Sequence, residues 1–166
     1  MRVFNETQQF TQWWLWLILA VSTLAVITKP VVLWIASDFK NHIVFGTSFW
    51  IGGGTMILVL ILFIVFKLTT WIDEKGISYQ FFPIHLKPKL LAWDKIEQIG
   101  TRKYKPLIEF GGWGYRWGIG GKALNVKGNK GIQIKLQNGD SLLIGTQKIN
   151  QAQTVINKYF KKDERI

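Results

Sequence analysis

The sequence predicts a membrane α-hairpin followed by a mostly-β domain that a C-terminal helix closes. Three observations carry that prediction. Residues 41–66 hold no Lys, Arg, Asp or Glu and centre on Met56-Ile-Leu-Val-Leu-Ile-Leu-Phe-Ile-Val-Phe66, and residues 7–28 are uncharged as well. Beyond Trp71 the continuous apolar pattern gives way to short alternating segments punctuated by Gly, Pro and Asn. Last, Ala152, Val155, Ile156, Tyr159 and Phe160 fall at helical spacing on one apolar stripe.

Each uncharged run is long enough to cross a hydrocarbon core of about 30 Å, which takes roughly 20 helical residues. The first span is expected at about residues 10–34 and the second at about 45–68, so residues 1–70 form the hairpin and residues 71–166 the β domain. Tryptophans mark the expected interfaces, where indoles prefer to lie: Trp14 and Trp34 for the first span, Trp50 and Trp71 for the second. As continuous helix each pair spans about 30 Å. Lys29-Pro30 interrupts the first run, so that helix either stops near Thr28 or kinks at Pro30. Ser48 and Gly52, at small-xxx-small spacing, with Gly53 and Gly54, let a second backbone approach closely, such as that of the first span through Ala20, Ser22 and Ala25; equally, glycine is simply tolerated in membrane helices. No ionisable residue lies inside the uncharged cores, so a proton or ion path is not expected.

The connection at residues 37–42 is short, so the spans are antiparallel and both termini share one side. That side is expected to be the cytoplasm, for a multi-pass protein of the cell (inner) membrane. Residues 1–12 are polar, with Arg2 and Glu6 cancelling, a poor start for a cleaved signal peptide. Of 21 Lys and Arg, 18 lie from Lys67 onward, against 8 of the 10 acidic residues, so this part carries +10 of the net +11. Such a field favours anionic partners, and lipid headgroups come first for a domain tethered to a bilayer; nucleic acid is not expected. With no cysteine, a disulfide framework and a thiolate metal site are excluded.

Within the domain, Asp73-Glu-Lys-Gly76 reads as a turn, Ile77-Ser-Tyr-Gln-Phe81 as a strand ended by Pro83 and Pro88, and Leu90-Leu-Ala-Trp93 as a segment running on towards Tyr104. A glycine-aromatic stretch follows over residues 110–122. Next come strands around Ala123, Ile132 to Leu136 and Ser141 to Ile144, with turns at Lys127-Gly-Asn-Lys130 and Asn138-Gly139.

Several motifs resemble those of bacterial pleckstrin-homology-like membrane proteins. They are Ile72-Asp-Glu-Lys-Gly-Ile77, Trp93-Asp-Lys-Ile-Glu97, Gly112-Trp-Gly114, Gly131-Ile-Gln-Ile-Lys135, and Ile144-Gly-Thr-Gln147 leading into the last helix. The resemblance covers roughly residues 71–160 and implies two bent antiparallel sheets with a C-terminal helix over one open end, commonly after a pair of membrane spans. It implies little chemistry. Lys75, Lys87 and Lys89, spaced as Lys, eleven residues, Lys, one residue, Lys, are similar to the headgroup-binding signature of phosphoinositide-binding pleckstrin-homology domains. Lys89 stands where that signature prefers Arg, whose planar fork grips phosphate with two bonds. With Lys95 they form a candidate anionic-lipid site, to be weighed against a solvated basic face.

Other chemistry has little to rest on. His42 and His85 lack a nearby second ligand in sequence, so no metal or cofactor is expected. A phosphate loop would need Gly where Arg116 stands and Ser or Thr where Ala123 stands. Asp94 and Glu97 fit a turn and a solvated position better than paired acid–base carboxylates. The reading is therefore a membrane-anchored, non-enzymatic binding module. The alternative is an accessory or homo-oligomer-forming subunit that contacts another membrane protein.

Overall fold

The computed structural model describes residues 4–37, 42–118 and 120–160. Arg2, Lys40, Lys161 and Lys162 of the charge argument, and most of the connection expected at residues 37–42, lie outside the described residues. The chain divides into two compact units, Thr11–Val65 on one hand and Met1–Phe10 with Phe66–Ile166 on the other.

The first unit is a pair of helices packed on each other, α1 (Trp13–Ala36) and α2 (His42–Val65). Trp13–Ala36 is long and apolar enough to cross a membrane, and Phe49–Val65 is a shorter apolar stretch of α2. α1 continues past Thr28 and contains Pro30 rather than ending before it. The hydroxyls of Thr23 and Thr55 donate to Leu19 O and Ile51 O, both at 2.7 Å, so neither is left unpaired in apolar surroundings. Of the glycine triplet only Gly52 serves close approach: a Cβ there would come 2.9 Å from Val26 Cγ1, whereas Gly53 and Gly54 face open space.

The second unit holds two sheets. The first has the order β1-β2-β3-β4, from β1 (Phe4–Gln9), β2 (Lys67–Asp73), β3 (Gly76–Phe82) and β4 (Lys89–Ala92), all antiparallel. A 3-10 turn (Trp93–Lys95) leads to β5 (Ile96–Lys103) and a short helix α3 (Pro106–Phe110). Then come β6 (Gly114–Gly118), β7 (Gly121–Asn125), β8 (Lys130–Leu136), β9 (Ser141–Gly145) and α4 (Ile149–Tyr159). The second sheet has the order β5-β8-β9-β7-β6.

Two departures from expectation have physical causes. Residues 67–70, assigned above to the hairpin, with 67 and 68 in its second span, are strand: α2 stops at Val65, and Leu68, Thr70 and Ile72 alternate inward along β2. The N-terminal segment, assigned above to the hairpin, is also strand and pairs with β2 from Phe4↔Ile72 to Gln9↔Lys67. Its inward positions are Phe4, Glu6 and Gln8. With two polar side chains facing in, the apolar alternation that announces a strand is missing. These polar groups are satisfied across the domain: the Glu6 carboxylate accepts from the Thr146 hydroxyl and from Gln147 N (2.8 Å), and Gln8 Nε2 donates to Gly145 O (2.7 Å). The helical unit is thus an insertion of two helices between the paired strands β1 and β2.

In the second sheet β7 and β9 run parallel, so the two sheets are not wholly antiparallel. The reason is topological. β9 lies between β7 and β8 and is antiparallel to β8. β8 in turn runs back relative to β7. Gly121 (φ 94°) lets β7 approach closely, since a Cβ there would collide with the Ser141 backbone.

Leu68, Ile72, Ile77 and Phe81 of the first sheet and Leu124, Ile132, Ile134, Leu143 and Ile144 of the second supply fully buried side chains. α4 packs against β1, β2, β5 and β8 and so covers both sheets, burying Ala152, Val155 and Ile156 of the expected stripe. Tyr159 and Phe160 instead lie against the Trp93 ring, 6.5 Å and 6.0 Å between centroids, and Trp93 Nε1 donates to Asp73 O (3.0 Å).

Because Gln9 and Lys67 are register partners, replacing Thr11–Val65 by an Asn-Gly turn closes an ordinary hairpin. That chain is expected to be soluble and to unfold cooperatively, whereas residues 71–166 alone, lacking β1 and most of β2, are not. In the closed chain Glu6→Ala leaves the Thr146 O–H and the Gln147 N–H without their acceptor and lowers unfolding free energy by about 2 kcal/mol, read by denaturant titration.

Candidate functional site

The four candidate lysines are all exposed, but the structure does not bring them together. Lys75 lies in the β2–β3 turn, where its N–H donates to Asp73 Oδ1 (2.9 Å). Lys95 ends the 3-10 turn after β4, near the same end of the sheet, since Gly76 pairs with Ala92. Lys89 pairs with Tyr79, four residues further along β3 than Lys75, which is about 13 Å at strand rise. Lys87 lies beyond that, in the β3–β4 loop. The signature spacing therefore divides into Lys75 with Lys95 at one end and Lys87 with Lys89 towards the other.

The second end is the one where the chain enters the helices. Lys67, two residues after α2, is the register partner of Phe82, the last residue of β3. Phe10 and Phe66, which border the helical insertion, have ring centroids 6.3 Å apart, and Phe66 lies 5.6 Å from Phe81. The β3–β4 loop thus begins one residue past the partner of Lys67. Lys75 stands about 23 Å away along β3.

This loop has a defined internal structure. His85 is buried while its neighbours Ile84 and Leu86 are 49% and 75% exposed. Its imidazole sits between the rings of Tyr79 and Tyr115, 5.7 Å from each, which ties the loop to β6 of the other sheet. Phe81 N donates to His85 Nδ1 (3.4 Å), His85 N donates to Phe81 O (2.8 Å), and Gln80 Nε2 donates to the carbonyls of His85 (3.1 Å) and Leu86 (2.9 Å). An accepting Nδ1 places the ring proton on Nε2. Burial, and then the Lys89 ammonium, hold this imidazole below its ordinary 6.5; burial, and then Tyr115, push the Tyr79 phenol up.

The glycine-aromatic stretch is built as a support. α3 ends at Gly111 in the left-handed conformation, and β6 and β7 then form a hairpin. Asn125, fully buried, accepts from Gly114 N (2.8 Å) and donates to Tyr104 Oη (3.0 Å), and burial pushes the Tyr104 phenol up to about 12. Trp113 Nε1 donates to Gly128 O (2.9 Å), while Trp117 is exposed under the Lys122 ammonium, 4.5 Å from the ring centre. A groove of about 310 Å³ runs beside Thr101, Arg102, Gln133 and Lys135. Both of its cations are already engaged: Arg102 with Glu109 at 2.7 Å, and Lys135 with Glu97 at 2.9 Å. The hydrogen bond from Arg102 is the main reason that the Glu109 carboxyl is held below its usual range. Glu97 is thus ion-paired rather than paired with Asp94 for acid–base work. Among the described residues no three His, Asp or Glu side chains group as metal ligands.

The four marker tryptophans also divide. Trp14 and Trp34 both lie in α1, about 30 Å apart along it, and Trp50 lies in α2. Trp71 lies in β2 opposite Ser78 and Asn5, so the helical spacing from Trp50 does not apply to it. Sequence reading missed β1 and the Tyr79–His85–Tyr115 cluster. The Ile-His-Leu alternation at residues 84–86 was the available signal for the second. The chain matches no protein-family model, no curated protein and no solved structure.

The buried His85 gives a pH dependence whose sign follows from its lowered pKa. As pH falls the unfolded chain takes up the proton first, so stability declines through about 6.5 and levels off once folded His85 is also protonated. Glu109, shifted down, contributes in a separate window, above its unfolded value and lost only at more acid pH. The thermal midpoint of the full chain in detergent is expected to drop between about pH 7 and 5.5, and His85→Gln to flatten that slope. An unchanged slope in His85→Gln contradicts the assignment.

Proposed function

We propose that this chain is a membrane-anchored, non-enzymatic binding module: α1 and α2 cross the cell (inner) membrane as an antiparallel pair, and a pleckstrin-homology-like domain docks on anionic lipid headgroups at the cytoplasmic face. The observation that carries the reading is the β1–β2 pairing. Residues before α1 and after α2 belong to one sheet, so they share one side of any membrane that α1 crosses, and the chain must return through α2. Two sheets covered by one terminal helix support the pleckstrin-homology-like assignment, although β1 and the parallel β7–β9 pair are additions to the pattern that the resemblance implies.

The lipid reading rests on charge at the right end of the sheet. Lys67, Lys87 and Lys89 lie towards the helical insertion, whereas Lys75 and Lys95 lie towards the opposite end, so the proposed headgroup contacts narrow to the first group. An accessory or homo-oligomeric role is supported by one feature of the helical unit. An apolar groove of about 260 Å³, lined by Thr23, Ile27, Trp50, Gly53, Gly54 and Ile57, has room for one or two side chains of another helix.

Each lysine near an anionic surface contributes about 1 kcal/mol, so losing two lowers the preference for anionic lipid by roughly thirtyfold at most. Anionic lipid retained by the full chain through detergent purification, quantified by mass spectrometry, is expected to fall sharply in Lys87→Gln/Lys89→Gln. It is expected to stay unchanged in Lys75→Gln/Lys95→Gln. Equal retention in both variants contradicts the headgroup assignment, and a stable homomeric ring carrying no anionic lipid favours the oligomer instead.

A further inference from the structure

The loop between β3 and β4 combines three properties that lysine charge alone does not explain. It carries two large apolar side chains, Ile84 and Leu86, exposed on either side of a buried polar residue, which inverts the usual order. The inversion is enforced, since His85 is held inward between Tyr79 and Tyr115, and Gln80 binds the carbonyls of His85 and Leu86. The turn itself is bounded by Pro83 and Pro88, with Lys87 and Lys89 directly following the apolar pair. And it starts from Phe82, across from Lys67, at the end of the sheet where the chain enters the helical pair, of which Trp13–Ala36 is long and apolar enough to cross a membrane.

We propose that this loop is a bilayer-inserting element: Ile84 and Leu86 enter the acyl boundary of the membrane, Lys87 and Lys89 sit at the phosphate level, and His85 is the positioning residue that turns the apolar pair outward. The occupant is the lipid bilayer. Apolar tips with lysines one and three positions further on match the sequence of hydrocarbon and anionic headgroup met on leaving a membrane, and long lysine stems reach back to the headgroups. The inference rests on the membrane-anchored reading above and deepens it, because apolar insertion holds the domain to neutral as well as anionic lipid.

The chain has no native cysteine, so a single introduced one can carry a spin label. The full chain with Leu86→Cys, and separately Ile84→Cys, is reconstituted in vesicles of phosphatidylcholine alone and of phosphatidylcholine with phosphatidylglycerol. Lys75→Cys at the far turn and Leu58→Cys in α2 are the references. The expected result is an oxygen-to-nickel collision ratio at residues 84 and 86 severalfold above that at Lys75→Cys in both vesicle types. Labels at 84 and 86 as nickel-accessible as that at Lys75→Cys overturn the proposal while leaving the anchored reading intact. A water-accessible label at Leu58→Cys overturns the anchored reading, and this proposal with it. Shielding in phosphatidylcholine alone supports insertion even if lysine-dependent lipid retention fails.

Discussion

Everything in this molecule depends on the hydrogen-bonded pairing of β1 with β2. An edge strand of six residues, drawn from before the first helix, is joined to the strand that begins two residues after the second. That pairing fixes the register at Gln9↔Lys67 and makes the 55 residues Thr11–Val65 an insertion in the β domain. It also explains why buried polar groups are kept at Glu6 and Gln8. Beyond the ladder, hydrogen bonds of these inward side chains to Gly145, Thr146 and Gln147 tie the edge strand β1 to the end of β9 and the residues that follow it. β1 is thereby tied to both sheets.

The same pairing sets which parts of the domain lie near the chain's entry into the helices. Strand length is the ruler: β2 and β3 have seven residues each, so the β2–β3 turn and the β3–β4 loop are separated by about 20 Å. A basic signature written across both therefore cannot act as one pocket. What gathers at the helical end is a smaller set, Lys67, Lys87 and Lys89 with Phe10, Phe66, Ile84 and Leu86. Exposed lysines contribute little to folding, so this surface is free to be shaped by what it meets.

The uncharged runs, the hairpin turn at Asn138-Gly139 and the apolar stripe of α4 were legible in the sequence, because each is a local pattern with one physical meaning. What was not legible has physical causes. β1 hid because Glu6 and Gln8 occupy its inward positions, and its strand identity depends on partners more than 130 residues away. β2 hid because Leu68 and Ile72 follow the apolar run of α2 with only Lys67 to mark the change from helix to strand. The parallel β7–β9 pair hid because strand order is a non-local property that turn signals do not encode. The candidate lysines are exposed, but spacing along the sequence does not reveal which end of a strand each one marks. His85, set aside as a metal ligand, turns out to be the residue that shapes the β3–β4 loop.

The central claim, that one sheet holds the chain on both sides of the helical pair, can be tested at Thr7 and Thr69. These are register partners on the outer face, with hydroxyl oxygens 3.4 Å apart. In a chain without native cysteine, Thr7→Cys/Thr69→Cys oxidised in intact membranes is predicted to form an intramolecular disulfide rapidly and nearly completely, while Thr7→Cys/Lys75→Cys does not. Failure of the first pair to cross-link within one chain, or equal cross-linking of both pairs, contradicts the account.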